Sequence, residues 1–131
     1  YWKLDIEDNV FAMFRNTQTG LVASLHSTMT QWRHLFALEI FLEKGYIVLN
    51  GLKTSSGTYG DEALTIAKNR STAPAATWED EEHITYHTDT SWRSEVDYFF
   101  DAILENKPVE IGNSTDALTL MKIVDKVYAN K

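Results

Sequence analysis

Five side chains carry the chemistry this sequence could offer a ligand: His26, Trp32, Arg33, Tyr59 and Glu62. Trp32 and Arg33 are adjacent at a hairpin tip. There an aromatic face and a guanidinium can stack on a ligand and clamp it; otherwise the tryptophan caps a core and the arginine is solvated. His26 closes a strand, where its imidazole could meet a substrate hydroxyl or phosphate at the sheet's upper edge. A histidine so placed serves equally as a structural hydrogen-bonding residue or in a subunit interface. Tyr59 and Glu62 belong to the glycine-rich segment Ser56-Gly57-Thr58-Tyr59-Gly60-Asp61-Glu62, which could fold over a substrate or simply be flexible.

Other chemistries fall away. Glu79-Asp80-Glu81-Glu82 with His83 and His87 spells a metal cluster. On a strand, however, those histidines lie roughly 13 Å apart, and zinc takes nitrogen at about 2.1 Å, so no metal site is expected. The chain has no cysteine, which excludes disulfides and thiol catalysis. No constellation of acid, base and nucleophile is apparent along the sequence, so a self-contained hydrolase or isomerase is not expected.

The elements that must hold these residues are strands first, helices last. In Asp8 to Arg15, Val10, Ala12 and Phe14 alternate with Phe11 and Met13. Asn16-Thr17-Gln18-Thr19-Gly20 is a turn, and Leu21 to Met29 supplies the partner strand. After the Trp32 tip, strands near Leu35–Leu42 and Tyr46–Leu49 flank the turn Glu43-Lys44-Gly45. Connections this short predict an antiparallel meander. Gly51 to Gly60 reads as a loop, Ala63 to Ala67 as a short strand, and Ile84 to His87 as a last edge strand. Asn69 to Glu82, with Pro74 and its acidic run, reads as a solvated excursion.

Trp92, Val96, Phe99, Phe100, Ile103 and Leu104 recur at helical spacing, with Asp89, Thr90 or Ser91 to cap the helix and Asn106-Lys107-Pro108 to stop it. A second helix starts near Asn113 or Ser114 and lines up Ala117, Leu120, Met121, Val124, Val127 and Tyr128. The stripe of Trp92, Phe99, Phe100 and Tyr128 is expected in the core. The predicted class is α+β, an open antiparallel sheet with helices packed on one face, in a single domain spanning residues 1–131. The strands are apolar on both faces, and two helices cannot cover both. One sheet face is therefore expected to meet a second subunit.

Composition narrows the partners. The net charge is −7 over 131 residues, which argues against nucleic acid, since phosphate binding needs a basic surface. No apolar run reaches the roughly 18–20 residues of a bilayer span, so no membrane partner is expected. The absence of cysteine fits a reducing, cytoplasmic setting. The start at Tyr1-Trp2-Lys3, without Met and close to a strand, suggests a fragment of a longer chain.

Several segments together resemble one family. Glu7-Asp8-Asn9-Val10-Phe11-Ala12 opens a strand, and Thr19-Gly20-Leu21-Val22-Ala23-Ser24-Leu25-His26-Ser27-Thr28 follows it. The hairpin from Gln31-Trp32-Arg33 to Gly45-Tyr46, the Ser56–Glu62 loop, Ser91-Trp92 with Glu95 and Phe99, and Asp116-Ala117-Leu118 to Val127-Tyr128 complete the set. In order and spacing they are similar to the C-terminal domain of the glucose–fructose oxidoreductase/inositol dehydrogenase/MocA (Gfo/Idh/MocA) enzymes, although Leu42 stands where many members have glycine. The resemblance covers almost the whole chain.

It implies a full-length NAD(P)-dependent oxidoreductase acting on a sugar, cyclitol or sugar nucleotide, with hydride passing between substrate and nicotinamide. It also implies a homo-oligomer formed through the sheet face. The family's N-terminal Rossmann domain, its cofactor site and its catalytic lysine have no counterpart in these residues. Asn106-Lys107-Pro108 follows a helix, and Gly57-Thr58-Tyr59-Gly60 is no dinucleotide fingerprint. No catalytic or cofactor-binding residue is therefore assigned, and the fragment alone is expected to be inactive, a substrate-side wall and oligomerisation domain incomplete at its N-terminus. The alternative is a free-standing binding or assembly module of the same fold with no enzymatic activity.

Overall fold

A computed structural model describes Lys3, residues 5–68 and residues 77–129. Its elements are antiparallel strands and two helices, an α+β fold with open sheets as the residue patterns predict. The chain divides into two compact units. One holds the described residues up to Thr30 and from Trp92 onward; the other holds those of Gln31–Ser91.

In the first unit, β1 (Asn9–Arg15) pairs antiparallel with β2 (Val22–Thr28), placing Phe11 opposite His26 and Ala12 opposite Leu25. The turn between them is built by Asn16, whose Oδ1 accepts the N–H groups of Gln18 and Thr19 at 2.9 and 3.1 Å. Gly20, at φ +77°, lets its own N–H reach the Asn16 carbonyl at 2.8 Å. Val10, Ala12 and Phe14 are half-buried while Phe11 and Met13 stand exposed, which is the alternation expected of a pleated strand.

The helices of this unit are α1 (Ser91–Leu104) and α2 (Ser114–Ala129). At the start of α1, Asp89 Oδ1 accepts the Ser91 N–H at 3.0 Å and the Ser91 hydroxyl at 2.6 Å. Its end is a left-handed cap. Asn106 sits at φ +50°, the Lys107 N–H reaches the Ala102 carbonyl at 3.0 Å, and Pro108 follows. The Tyr98 hydroxyl then accepts the Glu110 N–H at 2.8 Å, tying the connecting segment back to α1. Asn113 caps α2, its Oδ1 accepting the N–H groups of Thr115 and Asp116 at 2.9 and 3.0 Å.

The aromatic stripe expected in the core is not buried. Trp92 is 74% exposed and Phe99 59%, Phe100 and Tyr128 are more than half exposed, and neither helix buries any residue. An amphipathic stripe is buried only where a second surface meets it.

The second unit is a four-stranded antiparallel sheet of β3 (Ala37–Leu42), β4 (Gly45–Asn50), β5 (Glu62–Lys68) and β6 (Glu82–Tyr86), in sequence order. The expected meander therefore runs through β3 to β6, whereas β1 and β2 form a separate two-stranded sheet. β2 stops at Thr28 because its hydroxyl accepts the Thr30 N–H at 3.0 Å, a local bond that turns the chain out of the ladder. A single-turn 3₁₀ helix, Trp78–Asp80, precedes β6; residues 69–76 of the predicted acidic excursion lie outside the described residues.

The sheet's register sorts its side chains into two unlike faces. On one, Leu38, Leu49, Leu64 and Ile84 form a row, and Ile40, Ile47 and Ile66 form the next, ending at Glu82. On the other, Glu39, Val48, Thr65 and His83 form a row beside Phe41, Tyr46 and Ala67. Ala67, 9% exposed, is the buried core residue among those described. Two glycines permit close approach: a Cβ on Gly51 (φ +73°) would lie 2.0 Å from the Asp61 carbonyl oxygen, and one on Gly45 2.2 Å from that of Ala67. No helix is long and apolar enough to cross a membrane among the described residues.

Candidate functional site

Four of the five singled-out residues, Trp32, Arg33, Tyr59 and Glu62, fall in the sheet unit. The fifth, His26, belongs to the hairpin of β1 and β2. Trp32 and Arg33 do not cap a hairpin as expected: this tip lies in the segment linking β2 to β3, which belong to separate sheets. Trp32 is fully exposed there, next to Arg33, whose Nη1 donates to the His34 carbonyl at 3.3 Å. His34 then meets the glycine-rich loop: its ring lies edge-on to Tyr59, with centroids 5.1 Å apart and planes at 84°. The tip and the loop are thus joined through a residue that sequence reasoning passed over, although it directly follows Trp32 and Arg33.

The loop itself is organised by short-range bonds. The Gly57 N–H donates to the Thr54 carbonyl at 3.0 Å, and the hydroxyls of Thr54, Ser56 and Thr58 form a chain at 3.1 and 3.0 Å. Glu62 closes the loop's base, its Oε2 accepting the Lys53 N–H at 3.0 Å. That bond occupies one carboxylate oxygen with a structural task. The Lys53–Asp61 pair at 3.1 Å is largely solvent-facing and adds little, since exposed pairs contribute about 0–1 kcal/mol. Trp32, by contrast, is fully exposed, and Tyr59 meets the tip only through His34.

His26 is held differently. Its Nε2 lies 3.0 Å from Asn9 Oδ1, and its ring stacks on Phe11 with centroids 4.0 Å apart and planes 7° from parallel. Both contacts join the two strands of the hairpin, and they fix the imidazole plane.

A second polar cluster lies on the mixed face of the sheet. Thr65 Oγ1 is 3.1 Å from His83 Nδ1, and His83 Nε2 is 3.4 Å from Glu81 Oε2. The Tyr46 hydroxyl donates to the other oxygen of Glu81. That bond pushes the Tyr46 phenol above its ordinary value, helped by desolvation and by the Glu81 charge. Strand register creates the cluster: Thr65 on β5 is directly opposite His83 on β6.

Gly57 and Gly60 lie between two antiparallel strands, β4 and β5, rather than between a strand and the N-terminus of a helix, where a pyrophosphate would be held. No group of three or more histidine, aspartate or glutamate side chains could hold a metal ion among the described residues. No protein-family profile, no curated protein and no solved structure matches the chain.

Proposed function

We propose that the chain is the substrate-side and oligomerisation domain of an NAD(P)-dependent oxidoreductase of the Gfo/Idh/MocA type, acting on a sugar, cyclitol or sugar nucleotide. The supporting observation is the ordered run of motif-like segments from Glu7 to Tyr128, with Trp32, Arg33 and Tyr59 as the groups that would face a sugar nucleotide. The edge contact of His34 with Tyr59 favours that grouping, because it links the tip to the loop. The cofactor and the proton-transfer groups would be supplied by an upstream Rossmann domain, and this chain would form one wall of the site. A cytoplasmic location belongs to the same proposal.

Association would use the aliphatic face of the four-stranded sheet, with a second copy as the occupant. Leu38, 47% exposed, and Ile40 present apolar surface there, and sheets of this kind pack face to face at about 10 Å. Phe41, though also exposed, belongs to the opposite face. Light scattering on a size-exclusion column near ~10 µM protein, a concentration at which a complex of ordinary interface size persists, should return a dimer or tetramer. Ile40→Glu should yield monomers while Phe41→Glu should not; a monomeric parent protein rules the interface out.

Ligand contact is tested separately, by saturation-transfer NMR with UDP-glucose. The sugar-nucleotide signal should be lost in Arg33→Ala and weakened in Tyr59→Ala. No signal in the parent protein would instead favour the assembly-module alternative.

A further inference from the structure

The chain of Thr65, His83, Glu81 and Tyr46 has the order of a nucleophile, a base and the group that orients the base. The Thr65 hydroxyl and His83 Nδ1 are within hydrogen-bonding reach at 3.1 Å. On the far side of the ring, Nε2 faces Glu81 Oε2 at 3.4 Å. In neutral imidazole one nitrogen donates and the other accepts. A carboxylate accepts only, so the tautomer with the proton on Nε2 satisfies both contacts and lets Nδ1 accept from Thr65. Tyr46 fixes the carboxylate by donating to its second oxygen. Glu81 is largely covered, its side chain 21% exposed, whereas that of His83 is 51% exposed and open to solvent. A hydroxyl, an imidazole and an oriented carboxylate in that sequence supply the nucleophile, base and orienting group of nucleophilic acyl transfer.

We propose that Thr65, with His83 as its general base, is an acyl-accepting nucleophile for small activated carboxylic esters. The Thr65 oxygen attacks the ester carbonyl carbon and forms the new O–C bond, and its proton passes to His83 Nδ1. The tetrahedral adduct collapses, the bond to the leaving alcohol breaks, and His83 returns the proton to that alcohol. Water, deprotonated by the same nitrogen, then cleaves the threonyl ester to the free acid and restores the hydroxyl. Glu81 is a positioning residue: it holds the ring and the imidazolium that forms. Val48, half-buried, lies beside Thr65 on the same face and offers a small acyl group an apolar contact. β5 is paired on both sides, so its amides are committed to the ladder and give the oxyanion no hole. The acceleration is therefore that of the base alone, about 10²-fold.

The inference shares no residue with the sugar-nucleotide site and stands or falls apart from it. The intact chain is incubated with p-nitrophenyl acetate, nitrophenol release is followed, and the acetylated residue is mapped by peptide mass spectrometry. Acetyl should be found on Thr65. Thr65→Val should remove it, Thr65→Ser should restore it, and His83→Gln should slow release about 100-fold. Glu81→Gln should keep the acetyl on Thr65 but slow its arrival about tenfold, with an unchanged circular dichroism spectrum showing that the sheet persists. An unmodified Thr65 in the parent protein overturns the proposal, as does equal acetylation in a folded His83→Gln variant.

Discussion

The two units of this chain handle apolar surface in opposite ways. In the sheet unit, β4 and β5 have a strand on each side, and nearly all their residues are at least half-buried. In the other unit, α1 and α2 carry comparable apolar stripes and bury no residue; Leu104 is 79% exposed. The difference is one of geometry. A strand's hydrogen-bonding partner also brings side chains about 5 Å away onto the same face, so pairing and packing arrive together. A helix satisfies its backbone within itself, and its stripe gains cover only from a separate surface. Sheet order is therefore internal to the Gln31–Ser91 unit, whereas the helix stripes have no such built-in cover.

The sharpest way to break the contrast is to attack the sheet where backbones come closest. Gly51→Ala forces a side chain into the left-handed region and onto the Asp61 carbonyl. Backbone strain and steric overlap together should cost about 2–5 kcal/mol. Gly57→Ala, at φ +66° but facing open space, should cost only about 1 kcal/mol. Urea midpoints for the two variants provide the test, and equal losses would mean that the close approach at Gly51 does not govern sheet stability.

A smaller effect sharpens the same contrast. Ile66→Ala, in an interior strand, removes half-buried aliphatic contact and should cost about 1–2 kcal/mol, below the 2–5 typical of a fully buried site. Phe99→Ala removes a larger side chain that is 59% exposed, yet it should change unfolding by less than about 0.5 kcal/mol, as surface substitutions do. A loss at Phe99 that exceeds the loss at Ile66 would show that the helix stripe is covered in solution.

Much of this arrangement was legible in the residues. Alternation from Phe36 to Leu42, the Glu43-Lys44-Gly45 turn and the helical spacing from Trp92 to Leu104 are local patterns, and each became the element it predicted. The split of the strands into two sheets was not legible, because alternation marks a strand but not which strand it pairs with. Nor was the exposure of Trp92, since helical spacing marks a stripe but not what covers it. Of the candidate groups, Trp32 and Arg33 were expected at a hairpin tip, but the strands on either side of them do not pair. His34 against Tyr59 was not legible, nor was the Thr65 relay, whose members lie 18 and 35 residues apart and meet only through strand register.

Helix capping is the next smaller effect, because a helix without outside cover depends more on its own ends. Asn113 satisfies two amides at the start of α2. Asn113→Ala should cost about 1 kcal/mol of helix stability, read as a loss of helical circular dichroism on warming that Asn113→Ser largely repairs. If the alanine variant melts with the parent, α2 is held by something other than its cap.

The smallest effect is also the one that pH can report without mutation. The Asp89 carboxyl is held below the usual carboxylate range, chiefly by the Ser91 hydroxyl, then by the Ser91 amide, against a small opposing desolvation, with the Ser55 amide assisting. A carboxylate whose folded value is lowered adds stability that is fully present above its unfolded pKa, about 3.9. That stability is lost as pH falls through the lower folded value, because protonation removes the acceptor these donors need. Acidification below about pH 4 should therefore release the start of α1, visible as faster exchange of the Ser91 and Ser55 amides before the amides of β4 and β5 respond. Asp89→Asn, which keeps an acceptor oxygen but no titrating charge, should flatten that early step. Asp89, Ser91 and Ser55 belong to the same unit as β4 and β5, so if β4 and β5 exchange as early as Ser91, the cap at the start of α1 is no weaker than the sheet beside it in sequence.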